Sequence, residues 1–167
     1  MAIEIERKFL VKDDSWRKGA KGQKYRQGYM SRGETATVRI RITEKGAFLT
    51  IKGKPAVQED KISATKLEFE YVVPISDAQE MLQLLCQGPL IEKTRYCVEH
   101  DGMTWEIDEF YGENAGLIMA EIELESENQV ITFPKWLGRE VTSDKRYYNA
   151  SLSSNAYSQW KDGEAPA

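Results

Sequence analysis

Ile3-Glu4-Ile5-Glu6-Arg7-Lys8-Phe9-Leu10-Val11 is the stretch on which the fold turns. Successive side chains of a β-strand point to opposite faces, so residues two apart share a face. On that reading Glu4, Glu6 and Lys8 lie on one side, and Ile3, Ile5 and Phe9 on the other. The same division recurs downstream. Arg39 and Arg41 oppose Val38, Ile40 and Ile42, and Lys52 and Lys54 oppose Leu49 and Ile51. Glu68 and Glu70 oppose Leu67, Phe69 and Tyr71, and Lys93 and Arg95 oppose Thr94 and Tyr96. Glu106 and Asp108 oppose Trp105 and Ile107, and Glu121 and Glu123 oppose Ile122 and Leu124. Within most of these strands the charges have a single sign.

An open antiparallel sheet with one wet face accounts for any single strand of this kind. It accounts poorly for the set. A wet face mixes Ser, Thr, Gln and Asn with charges of both signs, and like charges on one strand repel. Closure with the charged faces inward gives a barrel with a charged lumen. Its apolar outer face then needs covering by helices and loops. Such a lumen is costly unless its groups pair, hydrate or meet a ligand.

Period-two alternation predicts strands over 3–11, 36–43, 47–54, 66–73, 93–99, 103–110 and 119–125, with a weaker one over 23–31. His100-Asp101-Gly102 reads as a tight hairpin, because Asp-Gly tolerates positive φ. Ser76-Asp77-Ala78-Gln79 opens a helix with a capping-box pattern, and Met81, Leu82, Leu84 and Leu85 supply its apolar stripe up to Gly88. A second helix is expected from about Thr142 through Leu152, capped by Ser143 or Asp144. The stretch 130–138 admits a short turn, a reading that Pro134 leaves ambiguous. Many strands, few helices and no regular βαβ alternation predict a mostly antiparallel sheet closed or nearly closed on itself.

The 167 residues suit a single domain, expected over 1–152, followed by a small, polar tail over 153–167 that is mobile or loosely docked. With 41% hydrophobic and 30% charged residues the chain is neither disordered nor collagenous. No apolar run approaches the ~20 residues of a spanning helix. Glu4 and Glu6 precede any apolar stretch, so the N-terminus does not read as a secretory signal, and the expected location is the cytoplasm. Cys86, Cys97 and the single His100 cannot build a four-ligand zinc site. The net charge of -4 argues against general binding to nucleic acid or anionic membranes. There is no GxGxxG or HExxH, and the nearest approach to a P-loop, Gly46 to Gly53-Lys54, has the wrong spacing.

What the charged faces do suit is a chain of phosphates. Lys8, Arg39, Arg41, Lys52, Lys54, Lys93 and Arg95 offer forks and point charges for phosphate oxygens. Glu4/Glu6 and Glu121/Glu123 offer hard oxygen ligands of the kind that hold magnesium or manganese beside substrate phosphates. Together they are the components of metal-assisted phosphoryl transfer. A non-catalytic polyphosphate or nucleotide sensor would use the same cations, but would gain nothing from the extra carboxylates.

Glu4-Ile5-Glu6-Arg7-Lys8 resembles the ExExK signature of the CYTH group, the triphosphate tunnel metalloenzymes. The resemblance continues through Arg26-Gln27-Gly28-Tyr29, Arg39-Ile40-Arg41, Thr50-Ile51-Lys52, Glu68-Phe69-Glu70 and Glu92-Lys93-Thr94-Arg95-Tyr96. It extends over Glu106-Ile107-Asp108-Glu109-Phe110, Ala120-Glu121-Ile122-Glu123 and Val141 to Tyr147, so it covers about residues 2 to 152.

It implies an eight-stranded antiparallel β-barrel forming a charged tunnel, mostly β with a few covering helices. By position Glu4, Glu6 and Glu123 resemble the metal ligands, with Glu121 beside them, and the implied cofactor is Mg2+ or Mn2+. Arg39, Arg41, Lys52, Lys93 and Arg95 resemble phosphate binders, joined by Lys54 and by Lys145 at the tunnel mouth. Glu68, Glu70, Glu106 and Asp108 are further tunnel acids. Lys8 and Tyr29 resemble a proposed catalytic dyad, in which Lys8 among cations would be neutral enough to serve as a base. One departure is Lys66, where many members carry Arg.

The implied activity is metal-dependent hydrolysis of a phosphoanhydride, with inorganic tripolyphosphate the first expectation. Thiamine triphosphate is an alternative that needs an aromatic platform, for which Trp16, Trp136 and Trp160 are the candidates; a class IV adenylyl cyclase is another. The expected partner is a small-molecule triphosphate, without nucleic acid or membrane; a homodimer is allowed.

Overall fold

The alternating segments close on themselves. A computed structural model describes residues 3–55, 57–58, 61–62 and 64–160. The strands are β1 (Ile3–Val11), β2 (Lys21–Arg32), β3 (Ala36–Thr43), β4 (Gly46–Gly53), β5 (Val57–Gln58), β6 (Lys61–Ile62), β7 (Thr65–Val73), β8 (Gln87–His100), β9 (Met103–Phe110), β10 (Ile118–Glu123) and β11 (Leu137–Glu140). Eight of them form the wall in the order β10-β9-β8-β2-β3-β4-β7-β1, and pairing of β1 with β10 completes the circle. All pairings are antiparallel, so the expected eight-stranded barrel is the fold. β11 is an extra strand beside the end of β1, and among the described residues β5 and β6 pair with each other alone.

Register brings the charged faces together. Glu6 lies opposite Glu123 and Lys8 opposite Glu121, while Lys52 faces Glu68 and Arg95 faces Asp108. Two residues further along the same faces the interior turns apolar. Leu10, Ile91, Phe110 and Met119 are all buried there, with Tyr29, Tyr147 and Leu152. One end of the barrel is thus filled with hydrocarbon, to which the C-terminal segment contributes.

The outer face is covered by different elements. Phe9, Trp105, Ile107, Ala120 and Ile122 point out from β1, β9 and β10 and pack under Trp16, Ile131, Trp136 and Leu137. Ile40 and Ala47 point out from β3 and β4 and pack under Ala78 and Leu82 of α1 (Ile75–Leu84). Each large aliphatic fully buried in these layers contributes about 1.5–3 kcal/mol. The outer face of β7 is left open, with Leu67, Phe69 and Tyr71 exposed beside Ile3.

Several elements differ from the sequence expectation. α1 begins at Ile75 behind Pro74, whose fixed φ of -59° starts the helix before Ser76 can cap it. β8 begins at Gln87, because a strand bend at Gly88 (φ +73°) and Pro89 masks its first residues. β11 occupies part of the stretch read as a turn; at Gly138 an added Cβ would lie 3.0 Å from the Leu10 carbonyl oxygen.

The helix expected over 142–152 is broken in two. Asp144 accepts the Arg146 N–H and caps one 3-10 turn at Lys145–Tyr147, Tyr148 is extended, and α2 (Asn149–Leu152) follows. The Tyr148 hydroxyl donates to the Thr142 carbonyl, which folds the segment back on itself. The following residues dock as well. The Tyr157 N–H donates to Asn114 Oδ1, and Trp160 packs edge-on against Tyr147 with centroids 5.1 Å apart. The rest of the expected tail, 161–167, lies outside the described residues. The Asp101-Gly102 turn has φ of 52° and 77°, the left-handed pair that a tight hairpin requires. No described helix is long and apolar enough to cross a membrane.

Candidate functional site

The charged faces enclose a cavity of about 670 Å³. Each of the eight strands of the barrel wall aims alternate side chains toward this space. Acids and cations occupy it in a partly segregated way.

Glu4 and Glu6 of β1 and Glu123 of β10 form the acidic group, with carboxylate oxygens within 4.8 Å of one another. Burial and the neighbouring Glu121 push Glu6 up to about 8. Burial also raises Glu4, and burial with Glu106 nearby raises Glu123. Three carboxylates gathered this way are compensated only in part, by the ammonium of Lys52 beside Glu4. Their all-oxygen donor set fits a hard divalent cation such as magnesium or manganese. Lys52 bounds the group, 2.8 Å from Glu4 and 3.2 Å from Glu68. Glu121 stands apart from this trio. It pairs with Lys8 at 3.4 Å and Arg95 at 3.5 Å, and these cations outweigh burial to hold it well below the carboxylate range.

The cations divide by what holds them. Lys93 and Arg95 share the fully buried Asp108, each at 2.7 Å, and Arg95 reaches Glu106 at 3.2 Å. Asp108 therefore lies behind the two cations and does not line the cavity. Arg39 and Arg41, by contrast, have neutral partners. Arg39 donates from Nη2 to the Thr50 hydroxyl at 3.1 Å, and its buried Nε has no hydrogen-bond partner among the described residues. Arg41 donates from Nε to Gln27 at 2.7 Å. Burial, with Arg39 and Arg95 close by, pushes Arg41 down to about 9. Lys54 and Lys145 are exposed at the rim, and Glu70, which accepts from Thr50, completes the lining.

Lys8 does not sit among cations alone, as the sequence suggested. Burial opposes its charge, but the neighbouring acids, Glu121 foremost, outweigh it and raise Lys8 above the usual lysine value. Its Nζ donates to the Tyr147 carbonyl, and no hydrogen bond joins it to Tyr29. Tyr29 is buried in the apolar end of the barrel, with an edge on the cavity.

Several residues of the site escaped the sequence reading or entered it only as a departure, among them Tyr25, Lys66, Tyr148 and Asn149 on the cavity lining and Gln27 buried behind it. The ring of Tyr25 lies 4.8 Å from the Arg41 guanidinium and 5.1 Å from that of Arg95. Tyr148 faces the ammonium groups of Lys66 at 4.4 Å and Lys8 at 5.4 Å. Lys66 is pushed down to about 8 by burial, Lys52 and Lys8. Gln27 and Asn149 bond to each other and to the cations. Tyr25 and Gln27 share the inward face with Tyr29, and that spacing was the available signal; nothing in the sequence places Asn149 or Tyr148 in the barrel.

Comparison with known proteins bears on the same residues. A family model described as the CYTH domain matches residues 2–157. The inorganic triphosphatase of Acetivibrio thermocellus is 46% identical over 162 residues, spanning 97% of this chain and 100% of that protein. That of Nitrosomonas europaea is 36% identical over 156 residues, 90% of this chain and 96% of its own. The crystal structure of the inorganic triphosphatase NE1496 superposes with a TM-score of 0.62 at 32% identity, covering 92% of this chain and 95% of that one.

Proposed function

The chain belongs to the CYTH family, and from that membership we propose that it is a divalent-metal-dependent hydrolase that cleaves a phosphoanhydride of inorganic tripolyphosphate. The observation that carries the reading is a cavity in which, among the described residues, Arg39 and Arg41 hydrogen-bond to neutral side chains while Glu4, Glu6 and Glu123 gather three carboxylates around the single ammonium of Lys52. A metal-bound polyphosphate chain satisfies both deficits at once.

In this reading Arg39, Arg41, Lys52, Lys93 and Arg95 bind and orient the phosphate oxygens, and the two arginines are aimed by Thr50 and Gln27. Glu4, Glu6 and Glu123 would hold magnesium or manganese, which when bound supplies positive charge to the phosphoryl oxygens and to the leaving group. Water forms the new P–O bond as the bridging P–O bond breaks, the bridging oxygen leaves with the pyrophosphate, and the proton the water gives up passes to the phosphate products or to solvent, giving orthophosphate and pyrophosphate. Lys8, paired with Glu121 at 3.4 Å, contributes positive charge to the site. Tyr29 borders the same space. The apolar end of the barrel favours a compact inorganic chain that can be enclosed entirely. No tryptophan lines the cavity: Trp16 and Trp136 pack on the outside and Trp160 against Tyr147, so the platform considered for thiamine is missing.

A substrate panel tests the reading. Tripolyphosphate, ATP, thiamine triphosphate and pyrophosphate are each offered with magnesium or manganese, and orthophosphate and cyclic AMP are measured. Tripolyphosphate is expected to give the highest kcat/KM, with no cyclic AMP from ATP. Cyclic AMP as the main product, or binding of tripolyphosphate without phosphate release, contradicts it.

A further inference from the structure

Arg41 and Lys93 approach the cavity from different strands, yet they are joined through two neutral side chains. Lysine and arginine only donate hydrogen bonds, and this fixes the orientation of both amides. Asn149 Oδ1 accepts from Lys93 Nζ at 3.0 Å and from Gln27 Nε2 at 3.1 Å. Gln27 Oε1 is thereby turned toward Arg41 and accepts from its Nε at 2.7 Å. The chain of bonds runs from Lys93 through Asn149 and Gln27 to Arg41. Gln27 is fully buried on β2, whereas Asn149 arrives from the C-terminal segment, after the barrel is complete.

We propose that Asn149 is a positioning residue of the phosphate site, which aims Lys93 directly and Arg41 through Gln27 while leaving the charge of Arg41 available to substrate. A carboxylate at either amide position would aim the same cations but cancel their charge. The ring of Tyr25 on the Arg41 guanidinium has the same neutral character. The C-terminal segment is on this account part of the substrate site and not only a cover for the barrel end. The inference rests on the proposed function in that it takes the cavity to hold a phosphate chain.

The test uses the full chain and tripolyphosphate with magnesium. Asn149→Ala and Gln27→Ala are each expected to raise KM about tenfold, the scale of a lost hydrogen bond to a charged group, with kcat changed less than about threefold. Because both act on Arg41 through one relay, the double variant is expected to stay well short of the about hundredfold that independent effects would give. Asn149→Asp, which keeps the shape and adds a negative charge, is expected to raise KM at least as much as Asn149→Ala while melting near the wild-type temperature. Should the alanine variants unfold, Asn149→Asp decides. Wild-type KM in Asn149→Asp, or multiplied effects in the double variant, overturns the proposal. Calorimetric affinity for tripolyphosphate separates the two readings. A wild type that binds it without turnover contradicts the proposed function alone, and the variants' dissociation constants then carry the test. A wild type that does neither contradicts both.

Discussion

Arg39 enters the cavity with a guanidinium that, among the described residues, is served at Nη2 by Thr50 and has no partner at its buried Nε–H. An orphaned buried donor is expensive unless a ligand meets it. Arg39→Ala is therefore expected to lower kcat/KM for tripolyphosphate by about 10²–10³-fold, the scale of a lost charge-stabilising donor. Arg39→Lys restores only part of that, because an ammonium lacks the fork. Phosphate-release kinetics check both, and near-wild-type rates in Arg39→Ala would remove the residue from the site.

Glu6 gives the second prediction at this scale. Its value, pushed up to about 8, means the ion-free protein keeps a proton there that an ordinary carboxylate would have lost. A divalent cation has to displace that proton. Manganese affinity is thus expected to rise with pH, by about tenfold per unit while Glu6 is still protonated, and to level off above the pH at which it ionises. Calorimetric titration at pH 6, 7 and 8 measures it, and a pH-independent affinity contradicts the assignment of Glu6 as a ligand. Charged residues were readable in the sequence because repetition at i, i+2 marks a shared face. The amides were not, since Gln27 and Asn149 carry no charge to stand out in such a pattern. Nor was the environment of Lys8, because which acid lies across from it depends on register between strands distant in sequence.

At the scale of the element, strands with clean alternation were legible and irregular ones were not. β11 is four residues long, holds Gly138 and pairs only with the end of β1. The 142–152 segment has helix-compatible composition, but the Asp144 cap and the Tyr148 bond to Thr142 fold it into two turns. Packing of the covering layer makes its own prediction. Trp105 is fully buried on the outer face of β9, with Phe9 and Trp136 rings at 5.6 and 5.7 Å. Trp105→Ala is expected to cost about 3–5 kcal/mol of stability in denaturant unfolding. The same variant should keep the wild-type KM in its folded fraction, since the residue faces away from the cavity. A changed KM with unchanged stability would contradict the inside-outside division of β9.

At the scale of the whole molecule, closure is what makes the charges useful. A closed sheet has no free edges, and eight strands leave an interior just wide enough for side chains and one small ligand. The alternation gave seven faces with paired charges but not their closure; that came from the pairing of β1 with β10 across more than a hundred residues. Inside, ion pairs such as Lys93–Asp108 offset much of the cost of burying charge, while Arg39 and Arg41 and the Glu4, Glu6 and Glu123 group are less fully matched, and on the proposed reading these are the places for substrate and cation.

A crystal structure of the protein with tripolyphosphate and manganese tests that claim most directly, because anomalous scattering locates the ion independently of the phosphates. The predicted result is manganese on Glu4, Glu6 and Glu123, with phosphate oxygens on Arg39 and Arg41 inside the barrel. Tripolyphosphate on the outer surface, or manganese bound away from those three carboxylates, would contradict it.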